Sequence, residues 1–169
     1  RDLAWSPANL PKGTGGARQK VLSQNWDNGA ASLYVQLDLG WKRPKGYHHA
    51  DTEIYVLDGA LTIGDKKLVQ GCYFRAPRYK AVGPFETTAE TTILYFREGP
   101  ANYAVSDRDM GTPEEDATFV DSNSMEWIPT FVPGPPPGLE IKLLYSNPKT
   151  KFYTRLLFIK PGWEDTRLS

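Results

Sequence analysis

Glycine and proline constrain the fold of this chain more than any other feature of its sequence. The 169 residues include 15 glycines and 14 prolines, which recur along most of the length. Long helices are disfavoured because proline removes a backbone donor and glycine lowers helix stability. The β-branched and aromatic residues gather in short runs between these breakers, and this pattern predicts an all-β chain.

The apolar runs and their turn signals locate individual strands. Asp58-Gly59 is a tight-turn signal between two such runs. Short strands at this spacing are typical of a sandwich or a jelly-roll barrel. The predicted strands cover residues 31–39, 53–57, 60–63, 66–69, 71–76, 91–97, 139–145 and 152–159.

Composition excludes several classes of protein. Lys plus Arg and Asp plus Glu both number 20, so a nucleic-acid or membrane partner held by bulk charge is not expected. Cys72 is the single cysteine, which excludes an internal disulfide and a zinc ribbon, and its place on a predicted strand indicates a buried apolar role. The sequence shows no bilayer-spanning apolar run and no signal-peptide pattern, and we therefore predict a cytoplasmic location.

The beginning of the chain recurs near its end at a constant spacing. Trp127 lies 122 residues after Trp5, and Trp163 lies 122 residues after Trp41. The same spacing relates further pairs: Pro7 and Pro129, Pro11 and Pro133, Gly16 and Gly138, Lys20 and Lys142, Asn25 and Asn147. Agreement of tryptophan, proline and glycine at one offset indicates a duplicated domain.

The repeat defines a domain prediction. We expect a first domain over residues 1–100, a polar linker over 101–124, and the opening strands of a second, incomplete copy over 125–169. Isolated apolar strands would expose an edge and an apolar face. We therefore expect these strands to be covered by the first domain, by a second copy of the chain in a homodimer, or by a companion chain.

The candidate metal chemistry lies in one short segment. His48 and His49 are the only histidines, and Asp51 and Glu53 follow closely. Imidazole and carboxylate ligands together suit zinc, iron, manganese or nickel. Adjacent strand residues point to opposite faces, so we expect at most one of the two histidines to be a ligand. The alternative is a pair of histidines at a strand entrance without a metal.

Two segments of the sequence resemble a known family. GYHHADTEIYVLDG (46–59) and GCYFRAPRYKAVGPFE (71–86) look like the two motifs of the cupin superfamily. With the preceding Gly40-Trp41, the pattern is most similar to ChrR-like and acetylacetone-dioxygenase-like cupins, which include two-copy members. The resemblance implies a cupin jelly-roll barrel followed by the start of a second cupin. It leaves activity open, because cupins include dioxygenases, isomerases, lyases, sensors and storage proteins.

Most of the metal-ligand positions of the cupin motifs hold other residue types in this sequence. His48 stands at one ligand position, while the other three hold Gly46, Thr52 and Val82, and Glu53 falls one residue late. A bulge that turned Glu53 inward beside His48 would restore two ligands. Structural and catalytic sites need three or four ligands, so a divalent iron or zinc ion is expected to be absent from the first domain.

Three functions follow as hypotheses. The first is the N-terminal part of a two-cupin protein whose first barrel has a degenerate metal site and serves as a scaffold, a dimerisation surface or a small-molecule pocket. The second is a metal-dependent, dioxygenase-like enzyme acting on a small carbonyl or diketone substrate, with His48, Glu53 and His49 as the metal-ligand candidates. The third is a ligand or metal sensor similar to the ChrR effector domain. The pocket candidates are Tyr47, Thr52, Arg75 and Val82, where Arg75 is predicted either to point into the barrel or to lie on the surface.

Overall fold

The computed structural model describes residues 3–129 and 138–164, which form two compact units, Arg1–Val120 and Asp121–Ser169. The described residues contain sixteen strands and one short 3-10 turn, Ser122–Ser124, and no helix long and apolar enough to cross a bilayer. The strands are β1 Ser6–Pro7, β2 Ala17–Gln24, β3 Ala31–Leu37, β4 Lys42–Arg43, β5 Gly46–His48, β6 Thr52–Asp58, β7 Ala60–Ile63, β8 Lys66–Val69, β9 Cys72–Ala76, β10 Phe85–Thr87, β11 Thr91–Arg97, β12 Tyr103–Val105, β13 Thr118–Asp121, β14 Ile128–Pro129, β15 Leu139–Ser146 and β16 Tyr153–Ile159.

The first unit is built from two main antiparallel sheets. One has the strand order β1-β2-β3-β11-β6-β9-β13, and the other has the order β4-β10-β7-β8. Their inner faces share one apolar core that includes Val35, Phe74, Ile63 and Phe85. Non-consecutive neighbours such as β3, β11 and β6 give the crossing connections of a jelly roll. The all-β jelly-roll prediction is confirmed.

Seven strands of the first unit were not predicted: β1, β2, β4, β5, β10, β12 and β13. β2 (ARQKVLSQ) carries alternating polar residues and is only half-buried, so its apolar signal is weak. Its ladder with β3 nevertheless extends from Ala17↔Leu37 to Gln24↔Ala31. Pairing with a strongly apolar neighbour therefore decides the conformation of β2, whatever its own composition.

The segment predicted as a polar linker contributes to the first unit as far as residue 120. β12 pairs with β5, with Tyr103 opposite His48. Asp109 accepts a hydrogen bond from the Ala81 amide at 2.7 Å and pairs with Lys80 at 3.2 Å. Residues 101–120 thus include polar side chains, such as Asp109, that bind the first unit.

The second unit repeats the first three strands of the first unit. β14, β15 and β16 lie 122 residues after β1, β2 and β3, and the pairing Ile128↔Ile141 reproduces Ser6↔Gln19. Both copies shift register at the equivalent place, between Val21 and Ser23 and between Leu143 and Tyr145. The Lys20 ammonium lies 4.9 Å from the Trp5 ring, and that of Lys142 lies 4.7 Å from the Trp127 ring.

The two copies differ in how deeply they are buried. Val35 and Leu37 on β3 are 0% and 1% exposed, whereas the equivalent Leu157 and Ile159 on β16 are 44% and 49% exposed. In the first unit, strands of the opposite sheet pack across the inner face of β3. The second unit, as described, lacks strands equivalent to those.

Candidate functional site

A group of polar and aromatic side chains lies inside the barrel of the first unit. Its members are Arg43, His48, Tyr95 and Tyr103, which we call the interior cluster, and each is at most 8% exposed. Strand alternation places them there: Tyr95 follows the buried Ile93 on β11, and His48 faces Tyr103 across the β5–β12 pair.

Arg43 is the centre of this cluster. It stands opposite Phe85 in the β4–β10 pair, and its Cζ atom lies 4.4 Å from the Phe85 ring and 4.3 Å from the Tyr103 ring. Its Nη2 atom lies 3.1 Å from Nε2 of His48, and the Tyr95 hydroxyl also interacts with the guanidinium. Burial lowers the pKa of Arg43, yet a guanidinium keeps its charge at any ordinary pH.

The environment of His48 keeps its imidazole neutral. Burial lowers the pKa of His48 well below 6.5, and the nearby charges of Arg43 and Arg97 lower it further. Arginine can only donate hydrogen bonds, so Nε2 of His48 accepts the bond from Arg43 and the ring proton resides on Nδ1. His48 therefore acts here as a neutral acceptor.

The two tyrosines of the cluster are neutral as well. Burial raises the pKa of Tyr95, and burial raises the pKa of Tyr103 to about 12. The Tyr103 hydroxyl donates to the Pro44 carbonyl at 2.6 Å, which fixes the ring against Arg43. The interior cluster thus holds a cation among neutral partners.

The three predicted metal ligands do not converge. Glu53 lies opposite Arg75 on the outer face of the large sheet, where it accepts a hydrogen bond from the Tyr73 hydroxyl at 2.9 Å. His49 is exposed, and its ring lies 5.5 Å from that of Tyr47. The ladder from Thr52 to Val56 runs without a bulge, so Glu53 faces away from His48.

The residues at the cupin ligand positions do not fit a divalent metal. The described residues contain no group of three His, Cys, Asp or Glu side chains that could hold one. Nε2 of His48 accepts from a guanidinium, whose charge would repel a cation. A Cβ atom at Gly46 would come within 2.1 Å of the Ala104 carbonyl oxygen and 2.8 Å of the Tyr103 ring. A tyrosine ring thus takes the space that a histidine at position 46 would need.

The pocket candidates divide between the two faces. Thr52 and Val82 are buried on the inner side, and Val82 forms a β-bridge with Gly46. Tyr47 is half-buried, and its ring meets that of Tyr79 edge to face at 6.2 Å. Tyr79 has a φ of 68°, which puts it in the left-handed conformation. The cupin pattern has glycine at that position, and glycine adopts this conformation without strain.

Of the two orientations predicted for Arg75, the one into the barrel is wrong. Its side chain points away from the barrel interior. Its neighbours on β9, Phe74 and Ala76, occupy the core, so alternation turns Arg75 outward. There its guanidinium pairs with Asp51 and, at 2.8 Å, with Glu115. We call Asp51, Glu53, Tyr73, Arg75 and Glu115 the outer-face cluster.

Sequence reasoning missed Arg43, Tyr95, Arg97 and Tyr103 as site residues. For Tyr95 and Arg97 a usable signal existed, because both share the period-2 face of Ile93 on a predicted strand. Arg43 belongs to a two-residue strand, and Tyr103 belongs to the segment interpreted as a linker. No local pattern marks either of those two.

Solved structures share this architecture. A candidate dioxygenase from Nostoc punctiforme is similar over 98% of this chain and 64% of its own length, at 21% identity and a TM-score of 0.79. A candidate glyoxylate-induced protein from Pseudomonas aeruginosa is similar over 92% of this chain and 59% of its own, at 15% identity and a TM-score of 0.65. An acetylacetone dioxygenase from Acinetobacter johnsonii is similar over 70% of this chain and 80% of its own, at 13% identity and a TM-score of 0.51.

These neighbours are cupin-fold proteins, so the chain has a cupin fold. More particularly, the chain belongs to the family described as "Domain of unknown function (DUF4437)", whose model matches residues 1–169. No curated protein matches the sequence significantly. The chain spans about 64% and 59% of the lengths of the first two structures.

Proposed function

We propose that the first unit is a metal-free, small-molecule-binding barrel of a two-cupin protein. The observation that carries this proposal is the Arg43–His48 contact at 3.1 Å, which replaces metal ligation by a hydrogen bond at the position of the cupin ligands. A buried cation beside a neutral imidazole recognises polar ligands through donated hydrogen bonds. It offers a metal no set of three ligands.

The two-cupin part of the proposal draws its support from the internal repeat. β14 to β16 reproduce the lengths, register and bulge of β1 to β3 at a spacing of 122 residues. The half-exposed apolar face of β16, with Leu157 and Ile159, supports the further proposal that a homodimer or a companion chain covers it. Light scattering of the purified chain tests this point, since a monomer at micromolar concentration would contradict the homodimer.

Elemental analysis tests the metal-free barrel. We expect close to zero iron, zinc, manganese and nickel per chain after dialysis without chelator, both in the chain and in the His48→Ala variant. The alternative, a metal-dependent dioxygenase-like enzyme, expects a value near one per chain that falls in His48→Ala. That second result would overturn the proposal and direct attention to oxygenase chemistry.

A further inference from the structure

The barrel interior contains buried donors without acceptors. Arg43 is 2% exposed, and neither its Nε nor its Nη1 atom has a hydrogen-bond partner among the described residues. Arg97, 8% exposed on β11, has the same deficit at Nη1, although its Nε atom donates to the Gly29 and Gly99 carbonyls. Buried polar groups in folded proteins are nearly always paired, and each unpaired one is costly.

The positive charge inside the barrel also has no counter-charge. The polar groups that face Arg43 are His48, Tyr95 and Tyr103, and none of them carries a negative charge. Within the described ranges, neither Arg43 nor Arg97 forms a salt bridge; the nearby acids Asp51 and Glu115 pair with Arg75 on the outer face. A buried charge without a partner is strongly unfavourable, so these donors call for an anion.

The rings around Arg43 restrict how such an anion can bind. Phe85 and Tyr103 lie 4.4 and 4.3 Å from Cζ, and Nη2 already bonds His48. The unpaired Nε–H and Nη1–H lie in the guanidinium plane but not on one shared edge, so each needs its own acceptor oxygen. Carboxylates and phosphates both pair with a guanidinium. The planar carboxylate group is thinner than a tetrahedral phosphate, which favours it beside a buried guanidinium packed against two rings.

We infer that the barrel interior binds a small carboxylate, with Arg43 as the principal recognition residue and Arg97 as a second donor. The inference rests on the proposed function, which it deepens by naming the ligand class. Arg43 presents positive charge and two unpaired donors to the oxygens of the ligand.

Thermal unfolding and calorimetry of the 169-residue chain test this inference. The probes are sodium acetate and sodium oxalate, compared with neutral acetamide, with phosphate and with chloride at matched ionic strength. We expect the two carboxylates to raise Tm with increasing concentration and the other three solutes to leave it unchanged, because a ligand stabilises only the state that binds it. Equal effects of acetate and acetamide, or of acetate and chloride, would overturn the inference.

Substitutions of Arg43 test whether this residue binds the carboxylate. Arg43→Gln should weaken oxalate binding at least tenfold, and Arg43→Lys should weaken it less, because a point charge remains without the planar fork. Arg18→Gln is the matched control, since Arg18 is exposed, donates to Gln36 and lies 4.6 Å from the Trp5 ring. If Arg43→Gln does not fold, Arg97→Gln and the ¹⁵N signals of the arginine side chains in the unmodified chain provide the readout: oxalate should shift the Arg43 Nε–H resonance, and no shift would refute the assignment.

Two kinds of failure are distinguishable. A metal near one per chain would overturn the proposed function itself. A metal-free chain that is stabilised by neutral compounds but not by carboxylates would overturn only the present inference. Crystals soaked in oxalate that show only water beside Arg43 would also refute it.

Discussion

Two buried arginines of the same barrel lie in opposite electrostatic surroundings. Arg75, on the outer face, pairs with Asp51 and Glu115. Arg43, on the inner face, packs against the Phe85 and Tyr103 rings, and among the described residues two of its nitrogens have no partner. The comparison teaches that the outer charge is neutralised by nearby carboxylates, whereas the described residues supply no counter-charge for the inner one.

The largest loss of stability should come from removing Arg75, the arginine that is paired with carboxylates. Arg75→Met leaves Asp51 and Glu115 without their cation, and we expect a loss of about 3 kcal/mol in the free energy of unfolding. Arg43→Met removes an uncompensated charge, so we expect a change within about 1 kcal/mol in buffer free of carboxylates. Urea unfolding of both variants measures the contrast, and equal losses would show that the chain pairs both arginines alike.

A smaller loss of stability is expected at position 46, where the Tyr103 ring takes the space that a ligand side chain would need. Gly46→Ala places a Cβ atom 2.1 Å from the Ala104 carbonyl oxygen and 2.8 Å from the Tyr103 ring. Relieving this overlap must move β12, and we expect a loss of about 2 kcal/mol, in the usual range for overpacking.

Gly99→Ala is the milder comparison for that substitution. Its Cβ atom would approach no closer than 3.0 Å, to the Ala50 methyl group, which leaves room for a small adjustment. Urea unfolding should therefore show a smaller loss than for Gly46→Ala. If both variants lose the same amount, or Gly46→Ala loses nothing, Tyr103 does not close the ligand position as described.

The sequence predicts the outline of the barrel well and its interior poorly, for a physical reason. Strand and turn signals are local, so the turn at Asp58-Gly59 and the apolar run of β11 can be recognised from neighbouring residues. The direction of Glu53 depends on the ladder register of β6, which one residue of slip would reverse. The contact of Arg43 with Tyr103 joins residues far apart in the chain, and nothing local encodes it.

The internal repeat shows what a sequence pattern can establish beyond local signals. The spacing of Trp5 and Trp127 anticipates the shared strand register and the shared lysine–tryptophan contact of the two copies. It does so because equivalent residues make equivalent short-range contacts. The burial of β3 compared with β16 could not be anticipated in this way, since burial depends on strands elsewhere.

The smallest expected effect concerns the pH dependence of stability. The folded pKa of His48 lies well below 6.5, so the unfolded chain binds a proton there that the folded chain does not. Stability should therefore decline as pH falls from about 6.5 towards the folded pKa and level off below it. His48→Gln should remove this contribution and flatten the slope by up to about 1.4 kcal/mol per pH unit.

His49→Gln is the matched control for that slope, because His49 is the neighbouring residue and is exposed. Urea unfolding between pH 7 and about pH 5 should show the parent slope in His49→Gln and a shallower one in His48→Gln. A bound carboxylate beside Arg43 would offset part of the positive charge that, after burial, keeps the imidazole neutral. Oxalate should therefore reduce the slope of the parent chain, and an unchanged slope would place the anion away from His48.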